Sequence, residues 1–270
     1  MAESEHSDGE PGRVVNVAPS IDYGTRLRAG IIVPSGNPVA EPEISAMLPD
    51  GVSPLFTRLE LRGSSEQELL AMLDGLEGAS RLLSHAEVGT IVFHCTAVST
   101  FAPELAPQIV QRIARATGIP GLVTADAILH AITALGGQRV ALLTPYNRSV
   151  HEREIAFLES HGVNVVHDAF MGLETNSEMA RLAPAALRDW VLEQIKDDVD
   201  TIFLSCTALR SAGIIQAIEQ RTQRSVVTSN QAMAWQLLRA NGISDVNPLF
   251  GRLFSLRGER AAEPQECVPR

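Results

Sequence analysis

The stretch GTIVFHCTAV at 89–98 returns as DTIFLSCTAL at 200–209, and five of the ten positions are identical. Each copy has a short run of apolar residues that leads to a cysteine followed by Thr-Ala. An apolar run of this length, without strict polar alternation, is typical of a parallel strand that is covered on both faces. Cys95 and Cys206 therefore occupy corresponding positions, 111 residues apart.

The repeat extends beyond this stretch. RAGIIVP at 28–34 returns with the same spacing as RVALLTP at 139–145, and LVT at 122–124 returns as VVT at 226–228 with a shorter spacing. Apolar runs predict buried strands at 29–33, 89–93, 121–124, 140–144, 163–166, 201–204 and 226–228. Apolar residues at helical spacing predict helices at 66–84, 103–117, 127–135, 150–161, 185–196, 213–222 and 231–240. Four of these helices are followed by a glycine that is expected to cap them, at 118, 136, 162 and 242.

Alternating strands and helices in two copies predict an α/β fold. We expect two similar parallel-sheet α/β domains related by a pseudo-two-fold axis. The first domain is placed at 25–123 together with about 228–256, because the last helix is expected to pack back on it, and the second at 124–227. Residues 1–24, which are acidic, and 257–270 are expected to be flexible tails.

Charge and cysteine content exclude several classes of function. The 270 residues carry 22 Lys and Arg against 32 Asp and Glu, a net charge of −10. With no basic patch to offset this charge, we expect neither nucleic acid nor a membrane as a partner. The N-terminal segment lacks a secretory signal pattern and no apolar run could span a membrane, so a cytoplasmic protein is expected. Its three cysteines have no zinc spacing, so no metal is expected, and a homodimer is the default assembly.

The paired cysteines are the main candidates for chemistry. Ligands of open α/β sheets bind at the carboxyl ends of the strands, where both thiols are predicted to lie, so the active site is expected in the cleft between the domains. Free N–H groups and the helix dipole at such a position are expected to lower the pKa of a thiol and to bind carboxylates. Two facing thiols suit nucleophilic and acid–base chemistry on the two faces of a small planar carbon centre. The alternative for each cysteine alone is a buried core position.

Two loops reach the same edge of the predicted cleft. The first strand ends in PSGN at 34–37, and its repeat partner ends in PYN at 145–147. The amide of Asn37 and the hydroxyl of Tyr146 can each donate a hydrogen bond to a carboxylate oxygen. A turn role for Asn37 and a packing role for Tyr146 are the alternatives.

Here the sequence resembles a known family. PSGNPVAEPEISAML at 34–48 is similar to the opening motif of maleate cis-trans isomerases, which belong to the aspartate/glutamate racemase superfamily and are related to arylmalonate decarboxylases. The resemblance continues at Thr144-Pro145-Tyr146 and at Asn176, and it includes both strand-end cysteines. The family motif has two threonines where this chain has Pro38 and Val39, so a substituted or larger acid stays open as the substrate.

The resemblance implies a cofactor-independent isomerase that acts on maleate or a related small unsaturated dicarboxylate. Cys95 resembles the nucleophile that adds to the alkene, and Cys206 resembles the acid/base partner on the other face. The residues implied to hold the carboxylates are Ser35, Asn37, Tyr146 and Asn176, together with the backbone amides at Thr96, Ala97, Thr207 and Ala208.

Other functions stay open at this point. Two-cysteine racemases of the superfamily usually carry an acid or a histidine two positions after the second cysteine, where this chain has Ala208. Arylmalonate decarboxylases keep only the second cysteine, so the presence of Cys95 counts against them. A non-catalytic protein that binds small acids is the third alternative, although such a protein needs neither thiol.

Overall fold

The computed structural model describes residues 21–258. Most of the two predicted tails, and Cys267 with them, lie outside the described residues.

Two four-stranded parallel sheets with the same strand order form the frame of the molecule. In chain order the strands are β1 (Leu27–Pro34), β2 (Val52–Leu59), β3 (Thr90–Phe93), β4 (Gly121–Val123), β5 (Val140–Thr144), β6 (Val165–Phe170), β7 (Thr201–Leu204) and β8 (Ser225–Thr228). The first sheet has the order β2-β1-β3-β4, and the second has the order β6-β5-β7-β8. The two similar α/β domains and the parallel sheets predicted from the repeat are thereby confirmed.

Helices connect the strands, as parallel pairing requires. They are α1 (Ala40–Met47), α2 (Glu66–Ala71), α3 (Leu76–Ser84), α4 (Thr96–Ser99), α5 (Leu105–Thr117), α6 (Thr124–Ala134), α7 (Arg148–Ser160), α8 (Asn176–Arg181), α9 (Pro184–Gln194), α10 (Ile215–Thr222) and α11 (Ser229–Ala240). The four glycines predicted to end helices all adopt a left-handed backbone, with φ between 69° and 78°. This conformation costs least for glycine, which explains why glycine stands at these helix ends.

The inner strands form the centre of each sheet and are buried along their whole length. Every residue of β3, β5 and β7 is buried, and β1 is buried at all but one position. The outer strands β2 and β6 are mostly half-buried. The apolar runs of the sequence therefore identify the inner strands well, because these are covered on both faces.

The structure differs from the prediction in both strands and helices, and the short helices α1, α4 and α8 were not predicted. Strand β2 was not predicted, because it is half-exposed and contains Pro54, which weakens a strand pattern. The predicted helix at 66–84 is broken into α2 and α3 by a 3₁₀ turn at Met72–Gly75. Strand β6 begins two residues later than predicted and continues to Phe170, because its half-buried end lacks a continuous apolar run.

The last helix links the two halves of the molecule. Helix α11 follows β8 of the second sheet and packs against α6 and α1, and α1 follows β1 of the first sheet. The domain boundaries near 124 and 228 stay a prediction. Within residues 21–258, no helix combines the length and the apolar character needed to cross a membrane.

Candidate functional site

A small cavity lies between the carboxyl ends of the two sheets. Both strand-end cysteines line it, together with Leu61, Gly63, Ser64, Leu69, Thr96, Ala97, Tyr146, Glu174, Asn176, Met179 and Thr207. Its volume of about 20 Å³ is enough for roughly one water molecule. The structure therefore brings the two thiols of the repeat to one enclosed space, in a closed arrangement.

Cys95 stands on regular backbone at the end of β3. Its φ of −149° and ψ of 111° are extended, and it directly precedes the short helix α4. Burial raises the pKa of its thiol to about 12, and the neighbouring Cys206 adds to this rise. The backbone amides of Val98 and Ala97 lower the pKa of Cys95, as expected from their position, but burial outweighs them.

Cys206 stands on strained backbone at the end of β7. Its φ of 113° falls in a region that residues with a Cβ rarely adopt, and such strain is concentrated at functional sites. The Ala208 amide donates to the Cys206 Sγ at 3.3 Å, and the Sδ of Met179 lies 3.6 Å from the same sulfur. Burial raises the pKa of Cys206 to about 12 against the effect of the Ala208 amide and the Tyr146 hydroxyl. The lowered thiol pKa predicted from helix N-termini is thus wrong for both cysteines in this closed form, because burial dominates.

Tyr146 and Asn176 both reach the cavity, as predicted. Burial beside the two thiols raises the pKa of Tyr146 well above its ordinary value, so its hydroxyl stays protonated as a donor. The Nδ2 of Asn176 donates to the Leu61 carbonyl at 3.4 Å, a long hydrogen bond that a carboxylate acceptor could replace.

Three other predicted residues lie outside the lining. The Nδ2 of Asn37 donates to the Thr207 hydroxyl at 2.9 Å, and its Oδ1 accepts from the amides of Val39 and Ala40. Asn37 therefore stabilises the loop after Cys206 through Thr207 and does not itself line the cavity. The Ser35 hydroxyl is bound to the backbone of Leu61, and Ala208 offers only its amide, which is directed at Cys206.

Two loops that the sequence analysis missed close the cavity. One follows β2 and carries Ser64, and the other follows β6 and carries Glu174. The Ser64 hydroxyl donates to the Glu174 carbonyl at 3.0 Å, and Asn147 Nδ2 donates to both side chains. Strands β2 and β6 are equivalent in the repeat, so the repeat could have predicted that both following loops reach the cavity. It did not, because β2 itself was not predicted.

Each cysteine is preceded by a buried polar residue that points away from the cavity lining. His94 is fully buried, with its ring nitrogens 2.9 Å from Thr124 Oγ1 and 2.8 Å from Asn230 Oδ1. At the equivalent position, the Ser205 hydroxyl lies 2.7 and 2.9 Å from the two oxygens of Glu154. Burial lowers the pKa of His94 to about 4 and raises that of Glu154 to about 8. Both side chains are therefore neutral near pH 7.

The fold and this site together define a class: α/β proteins of two similar halves, each of which contributes one strand-end cysteine to a shared cavity. The family model for arylmalonate decarboxylase matches residues 29–254. The chain belongs to this family.

Known relatives include two kinds of enzyme. A maleate isomerase of Pseudomonas putida is 27% identical over 242 residues, covering 84% of this chain and 97% of the relative. An arylmalonate decarboxylase of Bordetella bronchiseptica is 36% identical over 142 residues, which is 52% of this chain and 59% of the relative. The crystal structure of a maleate isomerase variant from Pseudomonas putida S16 with maleate superposes with a TM-score of 0.81 at 25% identity, covering 85% of this chain and 97% of that one.

These similarities confirm the family expected from the PSGN motif and the paired cysteines. They also confirm an enzyme that resembles maleate cis-trans isomerases in sequence and fold. Among the described residues, no group of three or more His, Cys, Asp or Glu side chains could hold a metal ion.

Proposed function

We propose that the chain is a cofactor-independent cis-trans isomerase of maleate or a related small unsaturated dicarboxylate. The observation that carries this proposal is the shared cavity, which receives one cysteine from each sheet at matched positions of the repeat. Similarity to maleate isomerases over 84% of the chain supports the same reaction class.

Once one thiol has lost its proton, the electrostatics of the site oppose the loss of the second. Each sulfur is buried, and a negative charge on Cys206 raises the pKa of Cys95. Two thiolates in one small buried cavity would repel each other, so the pair titrates as a unit and the second proton stays bound. Burial keeps both thiols protonated near pH 7 in the closed form, so in this proposal Cys95 loses its proton while the site is open. One nucleophile and one acid are then present together.

The proposed reaction uses these two groups in turn. The Cys95 thiolate adds to one alkene carbon, and the Cys206 thiol gives its proton to the neighbouring carbon. The former double bond is now single and can rotate. The Cys206 thiolate then removes the proton again, the bond from carbon to the Cys95 sulfur breaks, and the trans product leaves with no net change in protons or electrons.

The polar lining suits an anionic intermediate. Negative charge develops on one carboxylate as the carbon–sulfur bond forms, and fixed donors can stabilise it without a cationic side chain. The Tyr146 hydroxyl, the Asn176 amide and the backbone at Thr96, Ala97 and Thr207 supply such donors in this proposal. The Asn37 amide would act indirectly, through Thr207.

Substrate entry requires the site to open. A dicarboxylate is several times larger than the about 20 Å³ of the closed cavity. We propose that the loops carrying Ser64 and Glu174 separate to admit the substrate, since their contacts form one side of the cavity. Closure would then exclude water from the covalent intermediate.

A decarboxylase of arylmalonates is the second candidate. The Bordetella relative, which is 36% identical over 52% of this chain, is an arylmalonate decarboxylase. Leu61, Leu69 and Met179 give the cavity an apolar side that could receive an aryl group. Cys206 would then serve alone as the acid, and Cys95 would be dispensable.

Proton NMR separates the two candidates. Maleate, substituted maleates, arylmalonates and amino acids are incubated with the intact protein and with the Cys95→Ala variant, in buffered heavy water with a reducing agent. Fumarate or a substituted fumarate formed only by the intact protein is the expected result. Loss of carbon dioxide from an arylmalonate with both proteins would contradict the isomerase proposal and support the decarboxylase. Turnover of neither class, with deuterium exchange into an amino acid, would indicate a racemase.

A further inference from the structure

A buried carboxyl behind Cys206 has no part in the reaction described above. Glu154 lies on α7 and is 1% exposed. Among the described residues, its carboxyl oxygens have one hydrogen-bond partner, the hydroxyl of Ser205. Ser205 directly precedes Cys206 and is itself fully buried, so the carboxyl is connected to the strained backbone of Cys206 through a single residue.

Among residues 21–258, Glu154 forms no ion pair. Tyr146 and Cys206 on the adjoining loops interact electrostatically with Glu154. His151 lies on the same helix, and His167 and Asp168 lie on strand β6, which packs against that helix. Asp168 is bound to His151 at 3.0 Å, and none of the five is a hydrogen-bond partner of Glu154. A carboxylate buried with one neutral hydroxyl is strongly disfavoured, so the carboxyl is held as the neutral acid.

We propose that Glu154 is a positioning residue for Cys206 and that its ionisation sets the alkaline limit of the reaction. This inference rests on the proposed function for its kinetic consequence. The neutral carboxyl fixes the Ser205 hydroxyl and thereby the start of the Cys206 turn. When Glu154 ionises, it places a negative charge beside Cys206 and Tyr146. The reaction must form a Cys206 thiolate at the same place, so two negative charges would then lie close together.

The direction of this effect follows from the charges. Ionised Glu154 raises the pKa of both Cys206 and Tyr146. Burial raises the pKa of Glu154 itself to about 8, while the Ser205 hydroxyl acts to lower it. The neutral acid therefore prevails up to about pH 8, and the inhibitory charge develops above that value.

The test compares Glu154→Gln with Glu152→Gln, a matched change at an exposed position of the same helix. Glutamine preserves the shape of the neutral acid but cannot ionise. The ratio of kcat in Glu154→Gln to kcat in the wild type is expected to be near one at pH 7 and about tenfold higher at pH 9. Glu152→Gln is expected to show no such rise. A ratio that is constant from pH 6 to 9.5 would mean that Glu154 has a purely structural role.

A second readout needs no substrate. In a Cys95→Ala, Cys267→Ser background, Cys206 is the only thiol, and its alkylation by iodoacetamide is followed from pH 6 to 10. Adding Glu154→Gln is expected to increase the alkylation rate severalfold above pH 8, because the thiolate no longer forms beside a charge. If maleate is not a substrate but this increase is observed, the proposed function fails and the role of Glu154 stands. If maleate is isomerised but neither readout changes with Glu154→Gln, only the role of Glu154 fails.

Ser205→Ala is the variant to use if Glu154→Gln does not fold. Removal of the hydroxyl takes away the one group that lowers the pKa of Glu154. The alkaline limit of kcat is therefore expected to move to higher pH. An alkaline limit that stays in place would contradict the connection through Ser205.

Discussion

The two halves of the molecule present the same residue type at the same strand end, but in different surroundings. Cys95 has extended backbone and is preceded by His94, which is neutral and bound to Thr124 and Asn230. Cys206 has a φ of 113° and is preceded by Ser205, which is bound to the buried Glu154. The repeat thus preserves where each sulfur lies, while the residues behind the two sulfurs have diverged.

This difference agrees with the different tasks that we propose for the two thiols. A nucleophile must reach one carbon and leave it again, and regular backbone at Cys95 is sufficient for that. In the proposed reaction, Cys206 is the acid and must stay protonated until Cys95 has added to the alkene. A neutral carboxyl, a tyrosine and a tight turn all surround Cys206.

The largest effect is expected from removing each sulfur separately. Cys95→Ala and Cys206→Ala should each lower the turnover of maleate by about a thousandfold or more, because the complete proposed reaction needs both groups. Only Cys206→Ala should accumulate a covalent adduct. Its nucleophile is intact, water can protonate the neighbouring carbon slowly, and no Cys206 thiolate is present to remove that proton again. Mass spectrometry of the intact protein should show an increase equal to one molecule of maleic acid, localised to Cys95. An adduct on Cys206 in the Cys95→Ala variant would reverse the assigned roles.

His94 and Glu154, the buried groups behind the two cysteines, should change stability in opposite directions as the pH rises, each by a few kcal/mol. The folded-state pKa of His94 is lowered to about 4, so the unfolded chain binds the extra proton below its ordinary pKa of 6.5. Stability therefore rises with pH from 4 to 6.5, by up to about 3 kcal/mol. The folded-state pKa of Glu154 is raised from 4.5 to about 8, so stability falls with pH over that range, by up to about 5 kcal/mol.

The opposite slopes of stability against pH from His94 and Glu154 nearly cancel between pH 4.5 and 6.5. From pH 6.5 to 8 only the slope from Glu154 remains, so this range is the one to measure. There the wild type should lose about 1.4 kcal/mol per pH unit from Glu154 alone. Urea unfolding across this range should show that Glu154→Gln abolishes the loss, whereas His94→Gln leaves it in place. Equal slopes in the wild type and in Glu154→Gln would mean that Glu154 is already ionised in the folded protein.

The sequence alone identifies the inner strands, the repeat and both cysteines, because a strand covered on both faces leaves a continuous apolar run. It does not identify β2, and so it misses the loop that carries Ser64. It also cannot show that burial outweighs the backbone amides at each thiol, since that balance depends on how tightly the two halves close. The network of Glu154 and Ser205 joins residues 51 positions apart, and nothing local to either predicts it.

A smaller effect should separate Asn176 from Asn37. Asn176→Ala removes a donor from the cavity lining and should raise KM for a dicarboxylate by about tenfold or more, with little change in stability. Asn37→Ala leaves the Val39 and Ala40 amides and the Thr207 hydroxyl without their partner. It should lower the free energy of unfolding by about 1–3 kcal/mol. Thermal unfolding and steady-state kinetics of both variants measure the two effects. A large rise in KM for Asn37→Ala at unchanged stability would restore the direct carboxylate contact predicted from the sequence.

The smallest expected effect is on the free energy of unfolding. The difference between the glycine and the alanine variant should have opposite signs at the two cysteine positions. At Cys206 the φ of 113° strains any residue with a Cβ, so Cys206→Gly should be more stable than Cys206→Ala by about 1 kcal/mol. At Cys95 the backbone is extended, and Cys95→Gly should be less stable than Cys95→Ala by about 0.5–1 kcal/mol, because glycine loses more backbone freedom on folding. All four variants lack the sulfur, so each pair differs only in the Cβ, and urea unfolding gives the two differences directly. If glycine is the less stable residue at both positions, the turn at Cys206 holds no strain, and its distinct behaviour must come from its neighbours alone.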